Sequence, residues 1–213
     1  MSTDEWDALT DDPMPLLNAW LPGNDEPTRP LMTLATLDEN GAPDARSVLL
    51  SEWDADGFYW HTDAASRKIA HVAAAPAVAL CIPLLGVPHA DAKHQLVVQG
   101  VAEPAPQAEQ DRAYAARPPY LQQLAWQNTP EFAALPQGER IAAWAEFAAA
   151  HADGFTAPDA WTGCLVRPHR LTFWFGSEHT ASRRVEYTRG ENSAGGTGGG
   201  RGARGWKRQI LAG

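Results

Sequence analysis

Turn signals between β-prone segments constrain this chain toward an antiparallel sheet. Leu31–Leu37 is β-prone, and Asn40-Gly41 is predicted to turn it into a second strand at residues 46–50. Residues 54–57, Asp-Ala-Asp-Gly, are then predicted to turn that strand back into a third at residues 58–62. Asn-Gly or Asp-Gly between two such runs is a strong hairpin signal.

Later segments extend the same β pattern. Further β-prone runs cover residues 77–84, 94–103, 161–166, 169–175, 185–188 and 206–211. The first is continuously apolar, as is typical of a buried strand, and Gly100 within the second indicates a bulge. Helical patterns cover residues 13–21, the segment after Ser66, residues 107–117 and, within residues 130–151, the run ERIAAWAEFAAAH at 139–151. About eight strands with two or three helices predict a mainly β fold, an antiparallel barrel with peripheral helices.

Composition along the chain indicates two regions. Residues 1–30 read as an acidic tail, a helix and a connector rich in proline, and residues 31–213 as the barrel domain. Within that domain, residues 190–205 hold many glycines and are predicted to form a flexible hairpin loop. The glycine spacing of a phosphate-cradling loop is absent there.

Charge and residue usage exclude several classes of protein. The net charge of −9 argues against nucleic-acid binding. The longest apolar stretch, residues 69–87, is broken by His71, Pro76 and Pro83, so we expect no membrane span. The two cysteines lack Cys-x-x-Cys spacing and the acidic N-terminus lacks a basic signal region, so we expect a cytoplasmic protein. The seven histidines form no metal-binding pair, and we expect no metal site.

A basic strand–helix junction is the main candidate site. Ser66 is placed to cap a helix whose free N–H groups and positive dipole end favour an anion. Arg46, Arg67 and Lys68 can hydrogen-bond phosphate oxygens. The junction therefore indicates a phosphate site, with an ordinary solvated helix start as the alternative.

Two other segments carry side chains suited to a planar ligand. Trp174 lies in a late β-prone run and could line such a ligand, although most tryptophans pack in cores. Gln95 and Gln99 share one face of a predicted strand, where a glutamine either faces solvent or hydrogen-bonds a ligand's ring.

Ordered segments spread over nearly the whole chain resemble one family. They are DPMPLLNAWL, MTLATLDENGAPDARSVLL, FYWHTDAASRK, HQLVVQGVAE, ARP, WTGCLVRPHRLTFWFG, RRVEY and WKRQILAG. Together they resemble the pyridoxamine 5′-phosphate oxidase family of FMN-binding split-barrel proteins, including the related flavin oxidases of phenazine biosynthesis.

This resemblance implies a homodimer that holds FMN at the subunit interface, with both subunits contributing. The flavin contacts that it implies are Arg46, Val48, Leu49, Thr62, Ser66, Arg67, Lys68, Gln95, Trp174 and Arg184. The family's Gln-Ser pair has no clear match, although Gln127-Asn128 lies near it.

The substrate positions depart from the family pattern. Ser51 stands where the family has a lysine, Ala113 replaces a tyrosine and Leu121 replaces a serine, whereas Arg117 is retained. The family's Arg-Leu-His motif reads Thr180-Ala181-Ser182, so its arginine and histidine are missing. The candidate substrate-binding residues are therefore Ser51, Arg117, Thr180 and Ser182, and no catalytic residue is assigned.

Three functions fit these residues. The first is an FMN-dependent oxidoreductase whose small-molecule substrate is less anionic than pyridoxamine phosphate. The second is a genuine pyridoxine/pyridoxamine 5′-phosphate oxidase with a rebuilt phosphate clamp, for which Arg183 and His179 are candidates. The third is a flavin-binding carrier or sensor without turnover.

Overall fold

The computed structural model describes residues 9–84, 92–190 and 205–213. Its strands are β1 (Leu31–Leu37), β2 (Pro43–Leu49), β3 (Glu52–Trp53), β4 (Phe58–Asp63), β5 (Ala77–Leu84), β6 (Ala92–Pro104), β7 (Trp161–Ser177), β8 (Arg183–Arg189) and β9 (Trp206–Ala212). Its helices are α1 (Met14–Trp20), α2 (Arg67–Ala74), α3 (Gln107–Ala115), α4 (Pro119–Gln127), α5 (Pro130–Ala134) and α6 (Gln137–Ala150). The predicted mainly β fold with peripheral helices is confirmed. Most of the predicted glycine-rich loop and much of the acidic tail lie outside the described residues.

The long strand β7 organises the sheet because both of its edges are paired. Along one edge β6 pairs with it from Pro104, opposite Cys164, to Ala92, opposite Ser177. Along the other edge, residues 161–166 pair with β4 and residues 170–175 pair with β8. Among the described strands the order is β2-β1-β5-β6-β7-β4-β3, with β9 beyond β8, and every pair is antiparallel. Beyond β7 the sheet therefore has two branches, one formed by β4 and β3 and the other by β8 and β9.

The core lies on one face of this sheet. Alternate side chains of five strands are buried there, namely Leu34, Leu80, Val98, Phe173 and Val185. Helix α1 packs into the same core, and the ring of Trp20 meets Phe173 and Phe175 edge-on at 5.1 and 4.7 Å. In β6, β7 and β8 the residues between these core positions, such as Gln95, Trp174 and Arg184, are less buried and lie on the opposite face.

Two strand predictions are answered by β5 and β6. Strand β5 is continuously apolar but alternates between buried and more exposed positions, so it is buried on one face only. The bulge predicted at Gly100 is confirmed, because the register with β7 shifts between Gln99 and Gly100. A Cβ at Gly100 would lie 2.4 Å from the Arg167 carbonyl oxygen, so the bulge requires glycine.

The predicted pairing of the Arg46 strand across residues 54–57 is wrong. Strand β2, which contains Arg46, pairs only with β1 among the described strands. The turn at residues 54–57 instead joins the short β3 to β4. Residues 50 and 51 separate β2 from β3, so the chain leaves one pairing before it enters the next.

The helices are more numerous than predicted. The helical pattern predicted at residues 107–117 stops before Pro118-Pro119, but Pro119 also begins the unpredicted α4, because proline is favoured at a first helical position. The helical run predicted at residues 139–151 is confirmed as α6, and the short α5 that precedes it was not predicted. No helix in the described part of the chain is both long enough and apolar enough to cross a bilayer.

Candidate functional site

The N-terminus of α2 has some of the features expected of an anion-binding site. Ser66 occupies the cap position in extended conformation, but its side chain makes no capping hydrogen bond. Its hydroxyl instead accepts a hydrogen bond from Thr62 Oγ1 at 3.3 Å. The first turn of α2 contains no acidic residue. The positive end of the helix is therefore not neutralised by its own first turn.

Lys68, which follows this helix end, is one of the basic residues that line the cavity beside it. Its Nζ donates to Thr62 Oγ1 at 2.8 Å, and the side chain is partly buried. Burial lowers the pKa of Lys68, and the charges of Arg46 and Arg67 lower it further. A half-buried ammonium among like charges is a site that an anion would stabilise.

Arg46 is held by its own strand pair. Its guanidinium donates to Asp44 Oδ2 at 2.6 Å, to Thr36 Oγ1 at 2.8 Å and to the Leu34 carbonyl oxygen at 3.2 Å. His71 Nδ1 lies 3.4 Å away. Asp44 thus balances the charge of Arg46, whereas no carboxylate is within ion-pair distance of Lys68 in the described residues.

A cavity of about 240 Å³ gathers several residues predicted to contact flavin. Those that line it are Val48, Leu49, Thr62, Ser66 and Lys68. Asn128, near the uncertain Gln-Ser match, also lines this cavity. Arg67 instead lies with Asp44 and His71 around a neighbouring depression, and its side chain is exposed.

The remaining flavin candidates form a separate row across three strands. Gln95 on β6 is opposite Trp174 on β7, which is opposite Arg184 on β8. All three lie on the sheet face away from the core, and Trp174 lines a second cavity. The Trp174 ring covers Gly176, where a Cβ would lie 2.4 Å from it. This row and the Lys68 cavity share no lining residue.

The substrate candidates are only partly brought together. Ser51 and Arg117 line a third cavity of about 400 Å³, which Ala113 and Leu121 also line. Thr180 is exposed, and Ser182 lies on the cavity beside Trp174. Ser51, Ala113 and Leu121, the positions predicted to depart from the family pattern, therefore line one cavity.

Arg117 joins the Lys68 cavity to the Ser51 cavity, because it lines both. Its guanidinium lies 4.2 Å from the centre of the Trp161 ring and donates to the Leu121 carbonyl oxygen. Burial lowers the pKa of Arg117 to about 10, so it remains a cation at neutral pH. No carboxylate in the described residues forms an ion pair with it.

A buried polar chain beside this cavity was not predicted. His61 Nδ1 lies 2.8 Å from Ser51 Oγ, and His61 Nε2 lies 3.2 Å from Glu109 Oε2. No local spacing could have identified it, because His61 is on β4 and Glu109 is on α3.

Comparison with known proteins places these residues in a family. Residues 25–157 match the family described as pyridoxamine 5′-phosphate oxidase, and residues 161–213 match the pyridoxine 5′-phosphate oxidase C-terminal dimerisation region. The chain belongs to the pyridoxamine 5′-phosphate oxidase family. The predicted resemblance is thereby confirmed, and the antiparallel sheet divided along β7 is that family's barrel.

Individual relatives agree with this family. Two proteins named pyridoxine/pyridoxamine 5′-phosphate oxidase, from Shewanella halifaxensis and Shewanella pealeana, are 36% and 35% identical, each over 85% of both chains. The crystal structure of PhzG from Burkholderia lata, in complex with tetrahydrophenazine-1-carboxylic acid, shares the fold at a TM-score of 0.73 and 20% identity. It covers 100% of this chain and 98% of its own.

Proposed function

We propose that the protein is an FMN-dependent oxidoreductase whose small-molecule substrate carries less negative charge than a phosphorylated pyridoxine. The observation that carries the proposal is the Lys68 ammonium at the N-terminus of α2, which forms no ion pair among the described residues, although Asp63 on the same cavity offsets part of its charge at longer range. Membership of an oxidase family supports the redox chemistry. An FMN-binding relative from Nostoc punctiforme shares the fold at a TM-score of 0.62 and 13% identity.

The residues around Lys68 fit the phosphate of FMN. The Lys68 ammonium, the hydroxyls of Thr62 and Ser66 and the positive end of α2 all border one cavity. Hydrogen bonds from charged donors to phosphate are the strong class, and helix N-termini favour the same anion. Arg46 would help to orient the phosphate without bonding to it directly, because its guanidinium is already paired with Asp44.

A second copy of the chain would complete the flavin site. The cavity of about 240 Å³ is smaller than the roughly 300–1,000 Å³ usual for a small-molecule site. The row Gln95–Trp174–Arg184 offers an amide, a flat ring and a cation to a planar ligand, and Trp174 of this row lines another cavity. The match to a dimerisation region supports a homodimer in which this row meets the flavin of the other protomer.

The bound flavin would supply the acceptor for a hydride from the substrate. The chain's own residues would bind and orient that substrate. Arg117 is the cation that borders both the Lys68 cavity and the Ser51 cavity, so it would hold an anionic group of the substrate between them. Apolar residues Ala113 and Leu121 replace hydrogen-bonding partners in that cavity, which favours a substrate with fewer charged oxygens.

A genuine pyridoxine/pyridoxamine 5′-phosphate oxidase is the second candidate, because the curated relatives at 33–36% identity carry that name. Two or three missing phosphate contacts, at about 1.5–3 kcal/mol each, would weaken phosphate binding by several orders of magnitude. The two residues proposed to rebuild the phosphate clamp do not replace these contacts in the described structure. His179 is exposed, and Arg183 does not line the Ser51 cavity.

The test begins with the visible spectrum of the purified protein and mass identification of any yellow ligand. The reconstituted protein is then mixed without oxygen with pyridoxine 5′-phosphate, pyridoxamine 5′-phosphate or a reduced phenazine carboxylic acid, and flavin bleaching is followed. We expect FMN to bind and a donor other than the two phosphates to bleach it faster. Rapid turnover of pyridoxine 5′-phosphate would favour the second candidate, and a flavin that no donor reduces would favour a carrier or sensor.

A further inference from the structure

A buried hydrogen-bonded chain leads from the substrate cavity into the protein. Ser51 lines the cavity of about 400 Å³ and its Oγ lies 2.8 Å from His61 Nδ1. On the other side of the ring, His61 Nε2 lies 3.2 Å from Glu109 Oε2. The side chains of His61 and Glu109 are 0% and 5% exposed. We call this chain the Ser51–His61–Glu109 relay.

The fold holds the His61 ring in one orientation. The ring stacks on Trp161 with centroids 4.8 Å apart and planes within 3°. Gly163 lies against it, and a Cβ there would be 2.7 Å from both His61 Cδ2 and His61 Nε2. The Gly163 amide is itself fixed, because it donates to Gln110 Oε1 at 3.1 Å. An imidazole held between two polar groups in this way suits directed proton transfer.

The polar partners specify which nitrogen carries the proton. A carboxylate accepts hydrogen bonds, so His61 Nε2–H donates to Glu109 Oε2 and the bare Nδ1 accepts from the Ser51 hydroxyl. The second oxygen of Glu109, Oε1, is buried without a hydrogen-bond partner.

Other charged groups near the relay are already engaged. Arg112, on the same helix as Glu109, pairs with Glu52 at 2.6 Å. The Tyr59 hydroxyl donates to Asp54 at 3.1 Å, and burial raises the pKa of Tyr59. Arg117, between α3 and α4, places its guanidinium over the Trp161 ring and makes no contact with His61. Glu109 is thus the ionisable partner that directly contacts His61.

From this geometry we infer that Ser51 is the residue that takes a proton from the bound hydride donor, with His61 as the base behind it and Glu109 as the positioning residue. The inference rests on the proposed function, which supplies an oxidised flavin as the hydride acceptor. The donor's C–H bond breaks as hydride leaves, its O–H or N–H proton moves to Ser51 Oγ, and a C=O or C=N bond forms. The Ser51 proton moves in turn to His61 Nδ1, and the imidazolium is stabilised by Glu109.

The same three residue types also occur in enzymes that transfer acyl groups, but the backbone here argues against that use. Acyl transfer needs hydrogen-bond donors for an oxyanion beside the serine. The Leu50 amide donates to the Pro30 carbonyl oxygen and the Ser51 amide donates to the Tyr59 carbonyl oxygen, both at 2.9 Å. Neither amide is free to stabilise an oxyanion, so the geometry favours proton transfer.

The first test needs neither flavin nor substrate. The ¹⁵N resonances of histidine-labelled apoprotein are recorded at neutral pH, with His61 assigned by its loss in His61→Gln. We expect a neutral ring with the proton on Nε2 and a bare Nδ1, and the same state in Ser51→Thr. A proton on Nδ1 with a bare Nε2, or a ring protonated on both nitrogens, would overturn the relay, because Ser51 would then have no base.

The second test uses the FMN-loaded protein and whichever donor of the panel above reduces it fastest. In anaerobic single-turnover reduction, we expect Ser51→Ala to slow the reaction about 10²- to 10⁴-fold. Ser51→Thr, which keeps a hydroxyl, should stay within about tenfold of the parent, and Glu109→Gln should shift the acid limb of the pH–rate profile. FMN affinity should be unchanged in all three.

The outcomes separate the inference from the proposed function. An unchanged reduction rate in Ser51→Ala would overturn the relay and leave the oxidoreductase standing. Equal losses in Ser51→Ala and Ser51→Thr would indicate a packing role and also overturn it. A parent protein whose flavin no donor reduces would instead count against the oxidoreductase, and the His61 proton position would still decide whether Ser51 has a base.

Discussion

Replacement of Lys68 tests the phosphate site most directly. Lys68→Met keeps the length of the side chain and removes the charge that borders the cavity with Thr62 and Ser66. A hydrogen bond from a charged group is worth about 1.5–3 kcal/mol. Lys68 is already partly buried in the apoprotein, so the cost of its dehydration falls on folding and does not subtract from FMN binding. We therefore expect a loss of about 2–3 kcal/mol, or about 30- to 150-fold in Kd.

Arg67→Met should weaken binding much less. Arg67 is exposed and lies among Asp44 and His71 outside the Lys68 cavity. Exposed charge pairs contribute about 0–1 kcal/mol, which corresponds to at most about a fivefold change in Kd. The double variant Arg67→Ala/Lys68→Ala should lose little more than Lys68→Met alone.

The assay is quenching of FMN fluorescence on titration with apoprotein at fixed ionic strength. Arg140→Met, an exposed position in α6, is the control for loss of one positive charge. If Arg67→Met loses as much affinity as Lys68→Met, the structural separation of the two cations is not what governs binding. If both variants bind FMN within twofold of the parent, FMN is not held by this helix end at all.

Three further expectations follow from neighbouring residues. Burial and like charges lower the pKa of Lys68, so FMN affinity should be highest below that lowered pKa, where Lys68 is charged, and should fall as pH rises through it. Lys68→Met should abolish this pH dependence in the same titration. Arg117→Met should raise the half-saturating concentration of an anionic donor by about 10- to 100-fold in anaerobic flavin reduction, while costing less FMN affinity than Lys68→Met in the fluorescence titration. Gly163→Ala should destabilise the fold by about 1–3 kcal/mol in urea denaturation, since the new Cβ meets His61, whereas Gly138→Ala, with open space around it, should not.

The local part of the fold was predictable from sequence. Strands such as β1 and β6 follow from β-prone runs and turn residues, and the bulge at Gly100 follows from a glycine inside a strand. The predicted pairing of β1 with β2 across Asn40-Gly41 is confirmed, but residues 50 and 51 break the chain between β2 and β3, so the second predicted pairing of β2, across residues 54–57, is wrong. Helix α4 was missed because a proline pair both ends one helix and begins the next.

The site was predictable where its residues are adjacent in sequence. Thr62, Ser66 and Lys68 lie within seven consecutive residues, and the structure gathers them in one cavity. The positions Gln95, Trp174 and Arg184 were indicated only by resemblance to a family, and the structure aligns them across three strands. The pairing of His61 with Glu109 depends on how α3 packs on β7 and β4, which no local pattern encodes.

The separation of Lys68 from the Trp174 row has a thermodynamic consequence. If one flavin spans both, each bound flavin also joins two protomers, and cofactor affinity and subunit affinity become terms of one linked equilibrium. Added flavin would then tighten the dimer, and dilution would release flavin by separating the chains. The concentration of the protein itself would therefore regulate how much of it is loaded.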